Sequence, residues 1–170
     1  MATVQHLREE GVLHRIDPAL DDDEQENRYI YASDAVIHFL ANELPALQSF
    51  FGTETNPAQD LDALIAEFAS GLPIEFDRQV RAFRRRSFDV LQGGVWYLKT
   101  RDLRIFGWFP HKDCFIAVYA DTFANVKGKD LYEGRRNQVI QFRNALDLNV
   151  PKFIAGDDPN AVLSNCTIFE

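Results

Sequence analysis

The stretch WYLKTRDLRIFGWFP, residues 96 to 110, sets Lys99, Arg101 and Arg104 among Trp96, Leu98, Ile105, Phe106 and Trp108. A guanidinium offers a flat fork of N–H donors that matches two phosphate oxygens, and an ammonium offers a compact point charge. The whole chain points the other way, with 18 Lys and Arg against 26 Asp and Glu and a net charge of −8. That average conceals two unlike halves. Residues 1 to 80 hold 16 acidic side chains against 4 basic ones, whereas residues 81 to 170 hold 10 against 14. Cations segregated in this way can mark a phosphate-binding face, while the acidity of the whole argues against nonspecific binding to nucleic acid.

Other chemistries find little support. The chain contains no glycine-rich phosphate loop, no HExxH, no paired CxxC and no nucleophile elbow. His111 and Cys114 stand at HxxC spacing, which reads as a coincidence within a turn. Asp157 and Asp158 read as the turn before Pro159 rather than as a cation site. Cys114 and Cys166 are too few and too far apart for a zinc cluster, so two reduced thiols are expected. His38 falls within a helical pattern, where a lone histidine is a packing or surface residue.

The elements that must position the cations follow from periodicity. At 170 residues, with 46% hydrophobic and 12% aromatic side chains, the chain can bury a substantial core and is expected to form one compact unit. It has no run of about 20 apolar residues and no apolar core of a secretory signal near residue 1, so a cytoplasmic protein without a membrane partner is expected. Residues 1 to 27 end in DDDEQENR and read as a weakly structured or helical arm. Ser33 caps a helix with Val36, Phe39 and Leu40 on one face, which Pro45 bends or ends. Asn56 and Pro57 open a second helix with Leu61, Leu64, Ile65 and Phe68 at i, i+3, i+4, i+7, and Gly71 closes it. The segment from Ile74 to Gly94 fits a helix through Phe76, Val80 and Phe83, yet Arg84, Arg85 and Arg86 suit a solvated turn equally well. VWYLKT, LRIFGWF and CFIAVYA then read as a meander of antiparallel strands. A final helix follows, with Val139, Phe142 and Leu146 on one side and Tyr132, Arg136 and Arg143 along another. The order gives an α+β class: N-terminal helices, a small antiparallel sheet of three to four strands, and a C-terminal helix packed on it. Residues 1–55 read as an acidic helical extension, 56–150 as the core and 151–170 as a C-terminal extension that lies back on the sheet.

Taken together, ASGLP, the basic segment, GGVWYLKTRDLRIFGWF, FIAVYADTF and VKGKDLYEGRRNQVIQFRNAL resemble the RelE/HigB superfamily of bacterial toxins, including its phage-encoded branch. The resemblance runs over about residues 61–146. It implies a RelE-like fold and ribosome-dependent cleavage of mRNA without a metal or cofactor, with the ribosome and a neutralising antitoxin protein as partners. It places Lys99, Arg104, Lys127, Lys129 and Tyr132 as catalytic residues and Arg101, Arg135 and Arg136 as RNA contacts. Attack by the RNA 2′-hydroxyl needs proton removal, charge stabilisation on the phosphorane and proton delivery to the leaving oxygen, which Lys, Arg and Tyr can supply. Strand alternation is expected to aim these cations to one face and the aromatics to the other. The alternative is a catalytically inactive interaction or regulatory module on the same scaffold.

Overall fold

The computed structural model describes residues 1–49, 56–77 and 88–169. The elements in chain order are α1 (Val4–Glu9), β1 (His14–Ile16), β2 (Tyr29–Ala32), α2 (Asp34–His38), α3 (Pro57–Ser70), β3 (Ile74–Asp77), β4 (Phe88–Val90), β5 (Val95–Lys99), β6 (Leu103–His111), β7 (Cys114–Thr122), α4 (Phe123–Gly128), α5 (Tyr132–Ala145), α6 (Pro159–Val162) and β8 (Cys166–Phe169). The class is α+β, with helices on both faces of a six-stranded mixed sheet ordered β1-β2-β7-β6-β5-β4. A separate two-stranded sheet pairs β3 with β8 in parallel.

The three anticipated strands form the antiparallel meander β5-β6-β7. The sheet nevertheless exceeds the expected three to four strands, and it is not purely antiparallel, because β2 lies parallel to β7 with Ile30 opposite Phe115. The missing strands are β1, β2 and β4, of three, four and three residues. Runs that short carry no readable alternation, and their pairing depends on partners remote in sequence. The acidic N-terminal stretch thus supplies two strands as well as a helix, and Ala2 binds Asp147 and Asn149 through backbone hydrogen bonds of 2.9 and 2.8 Å. The tail lies back on the sheet, with Ile154 N on the Phe109 carbonyl at 3.0 Å and Trp108 Nε1 on the Lys152 carbonyl at 2.8 Å, while its strand β8 pairs with β3. Val80, Phe83 and Arg84 to Arg86 lie outside the described residues.

Local chemistry accounts for the helices. Ser33 accepts a hydrogen bond from Val36 N and caps α2, while Val36 and Phe39 are buried. Beyond α2 the winding loosens to a π turn over Phe39–Glu43 and then tightens to a 3₁₀ turn containing Pro45, whose ring nitrogen donates no hydrogen bond. Asn56 and Gln59 form a reciprocal capping box on α3, and Gly71 ends that helix at φ 80°, a left-handed conformation that glycine adopts without penalty. Leu61, Leu64, Ile65 and Phe68 are buried against Trp96, Leu98, Phe109 and Phe115 on one sheet face. On the other face Val139 and Phe142 of α5, with Val4 and Leu7 of α1, cover Val95, Phe106, Trp108 and Ile116.

Two features tighten this frame. At Gly107 the β6–β7 register shifts, and a Cβ there would fall 1.9 Å from the Ile116 carbonyl oxygen. Glycine is required for the close approach of the two backbones. Arg28 is fully buried and donates to the carbonyls of Phe68, Leu72 and Ser164 at 2.8 to 3.0 Å, with Asp113 at 3.6 Å. It ties the start of β2, the end of α3, the β6–β7 turn and the C-terminal tail to one guanidinium.

Candidate functional site

The β5–β6 pairing decides where the cations go. Lys99 stands opposite Arg104, Tyr97 opposite Phe106, and Val95 opposite Trp108, so all six share the sheet face that α5 covers. The expected split of cations to one face and aromatics to the other is therefore corrected. Tyr97, Phe106 and Trp108 flank the cations, while Trp96 and Phe109 fill the opposite face. What separates Lys99 and Arg104 from the apolar core is position along the strand. They lie at the hairpin end, beyond the last aromatic of the packed layer.

Arg104 Nη1 donates to the carbonyls of Thr100 and Leu103 at 2.6 and 2.8 Å, and its guanidinium lies 4.5 Å from the centre of the Phe123 ring. Lys127 approaches the same ring at 5.4 Å. Because carbonyls hold Arg104, its positive charge remains after those bonds are made. Lys99 Nζ is 3.7 Å from Asp89 and 5.8 Å from the Tyr97 ring centre. Tyr97 donates its hydroxyl to Asp89 at 3.2 Å, and burial, reinforced by that carboxylate, holds its pKa well above the usual phenol range. It is a proton-bearing phenol rather than a base. The ring of Tyr132, at the start of α5, sits 5.5 Å from Tyr97 and 6.0 Å from Phe106.

Asp121, opposite Arg104 on β7, is the anchor of the cluster. Its carboxylate accepts from the Thr122 backbone at 2.7 Å, from Asn125 Nδ2 at 2.9 Å, and from Arg135 Nη2 at 2.7 Å. Arg135 also donates to Gln138 and lies 5.6 Å from the Tyr119 ring centre. Magnitudes separate the two ion pairs. Lys99–Asp89 is long and partly exposed, so it contributes about 1 kcal/mol or less and opens readily. Arg135–Asp121 is short and largely buried, and breaking one side of such a pair costs about 3–5 kcal/mol.

The structure thus brings Lys99, Arg104, Lys127, Tyr132 and Arg135 to one end of one sheet face. Arg101 is exposed in the hairpin turn, and Lys129 is exposed at the end of α4. Arg136 departs from the cluster: it donates to Gln92 at 3.0 Å and lies 3.5 Å from Glu133. Those residues, with Tyr132, Asp130, Phe153 and Asp157, line an open groove of about 1040 Å³ between the β4–β5 turn, the start of α5 and the C-terminal segment. Arg143, expected on the polar side of its helix, is buried, with Nη1 on the Gly93 carbonyl and its guanidinium 3.6 Å from the Phe153 ring centre.

Sequence reasoning passed over Asp89, Tyr97, Asp121 and Asn125. A signal did exist for Asp121, which continues the alternation of Tyr119 along the third strand; Asp89 lay in a segment whose element type was undecided. Asp158 caps α6 through the Asn160 backbone at 3.0 Å, as its turn role implied. Cys114 is buried and Cys166 half-buried, both as free thiols. Among the described residues no group of three His, Cys, Asp or Glu side chains is placed to hold a metal ion, and no helix is long and apolar enough to cross a membrane. Comparison of the chain with family models, with curated proteins and with solved structures found no match.

Proposed function

We propose that the hairpin end of the sheet binds the phosphodiester of single-stranded RNA and cleaves it without a metal, in the manner of RelE-like mRNA interferases acting on the ribosome and held in check by an antitoxin protein. The observation that carries this reading is the in-register pairing of Lys99 with Arg104 beside Lys127, Arg135 and Tyr132. Arg104 and Lys127 flank Phe123 and supply positive charge where the phosphorane would gather it. Lys99, released from its weak pair with Asp89, adds a third cation. The Tyr132 hydroxyl is the candidate proton carrier, and Tyr97, which keeps its proton, supports it from the sheet.

The test is expression of the full chain in cells, with transcript ends mapped. Growth arrest and new 5′ ends are expected, both lost in Arg104→Ala and in Tyr132→Phe while the variants remain folded. Intact transcripts at high expression overturn the reading.

A second reading rests on a different observation. Asp121 holds Arg135 at 2.7 Å, and Arg104 is engaged by two carbonyls. Such internal satisfaction suits a catalytically inactive module whose polar network fixes α4 and α5. Under that reading Arg104→Ala lowers the melting temperature and leaves transcripts unaffected.

A further inference from the structure

The groove beside Tyr132 differs in chemistry from the hairpin cluster. Its walls combine the apolar side chains of Leu91 and Phe153 with three polar groups on adjoining elements: Gln92 on the β4–β5 turn, and Glu133 and Arg136 on the first turns of α5. Arg136 is largely buried, and its guanidinium is positioned by Gln92 Oε1 at 3.0 Å, by Asn137 Oδ1 at 3.3 Å and by the Glu133 carboxylate at 3.5 Å. Glu133 itself is mostly exposed, with four-fifths of its side chain open to solvent. Asp130 and Asp157 stand at the same groove. Three carboxylates against one guanidinium repel a phosphate, so an anionic backbone is directed to the hairpin cations instead. A base carries no charge and is not excluded.

We propose that this groove is a base-recognition site that selects guanine in the nucleotide adjoining the scissile phosphate; it rests on the reading of the hairpin end as a phosphodiester site. Guanine presents two acceptors, N7 and O6, along one edge, and a guanidinium fork fits them. Along its Watson–Crick edge, N1–H and N2–H₂ are adjacent donors, which a carboxylate accepts as a pair. Arg136 and Glu133 offer those two complements side by side. Adenine turns its N1 acceptor towards the carboxylate, and cytosine turns N3, so both lose a bond and gain repulsion. Leu91 and Phe153 supply apolar walls for an unstacked base, as single-stranded RNA recognition requires. Tyr132 belongs to both places, its ring packed on Tyr97 and Phe106 while the residue lines the groove.

The test uses the four nucleoside 3′-monophosphates as probes, titrated into the full chain by calorimetry and into ¹⁵N-labelled protein. The guanosine nucleotide is expected to bind at least tenfold more tightly than the other three and to shift the resonances of Gln92, Glu133 and Arg136. Glu133→Gln, an exposed change whose fold is checked by thermal unfolding, should remove that preference and bring the guanosine affinity into the range of the other three. Equal affinity for all four nucleotides, or a preference that survives Glu133→Gln, overturns the proposal. Mapped transcript ends separate its failure from that of the nuclease reading. Guanosine preference in binding with intact transcripts upholds the groove and removes the nuclease, and cleavage with no base preference does the reverse.

Discussion

At the scale of single residues, the hairpin cations can be ranked by what they give up to meet a phosphate. Lys99 leaves a long pair with Asp89, Arg104 keeps its charge on carbonyls, and Arg135 is committed to Asp121. Each cation that contacts phosphate in single-stranded RNA contributes about 0.7 to the slope of log affinity against log salt. Arg104→Ala and Lys99→Ala are therefore expected to lower that slope by about this much each, measured by fluorescence anisotropy with a labelled oligouridine between 50 and 200 mM salt, both concentrations being roughly those over which such contacts are resolved. Arg135→Ala should instead lower stability first, because it strands Asp121. The thiols give a second residue-scale test. Burial pushes Cys114 up to about 12 and raises Cys166 by less, so Ellman's reagent should modify Cys166 long before Cys114. The sign for stability follows from linkage. Above the ordinary thiol range the unfolded chain has released the Cys114 proton and the folded chain retains it, so stability falls as pH rises towards 12. The loss is about 1.4 kcal/mol per pH unit per such group. Denaturant unfolding followed from pH 9 to 11, roughly the onset of thiol ionisation and beyond, should show it, and Cys114→Ala should flatten the decline.

At the scale of elements, the β6–β7 junction and the capped helix α3 offer contrasting predictions. Gly107→Ala drives a methyl into the Ile116 carbonyl and the Phe115 ring, where neither backbone can yield cheaply. A loss of about 3 kcal/mol or more is expected, read as insoluble or poorly folded protein. Asn56→Ala removes one half of the capping box and should cost about 1 kcal/mol in chemical denaturation. These elements also show what the sequence makes legible. Long periodic segments declared themselves: the stripe of α3, the face of Val139 and Leu146, and the meander from Val95 to Thr122 all follow from side-chain spacing. The strands His14–Ile16, Tyr29–Ala32 and Phe88–Val90 did not, because their identity comes from partners rather than from their own pattern. The site shows the same division. Lys99 and Arg104 were visible as cations out of place, but Asp89 and Asp121 become members only through strand register, which no single segment reveals.

For the whole molecule, charge and topology are linked. The acidic half supplies α1, the two strands β1 and β2 at one edge of the sheet and the helices on the face away from the hairpin cations, while every cation of the cluster comes from the second half. Arg28 fastens the two halves, since its guanidinium bonds to residues from both, and Arg28→Ala leaves one buried and two partly buried carbonyls without their donor. A destabilisation of about 3–5 kcal/mol is expected, seen as an early, broadened thermal transition and as protease sensitivity. Arg28→Lys should rescue it only in part, because an ammonium cannot span the same acceptors as a planar fork.

The parallel alignment of β2 with β7 also sets an order of events during translation. Tyr29 to Ala32 leave the ribosomal exit tunnel long before Cys114 to Thr122 are synthesised, so the first-made strands wait as an unpaired hairpin while the rest of the polypeptide is added. The Ser164 carbonyl that Arg28 requires arrives later still. Completion of this fold therefore waits until Ser164 and β8 have been made, and a nascent chain stalled before them should remain an open substrate for chaperones.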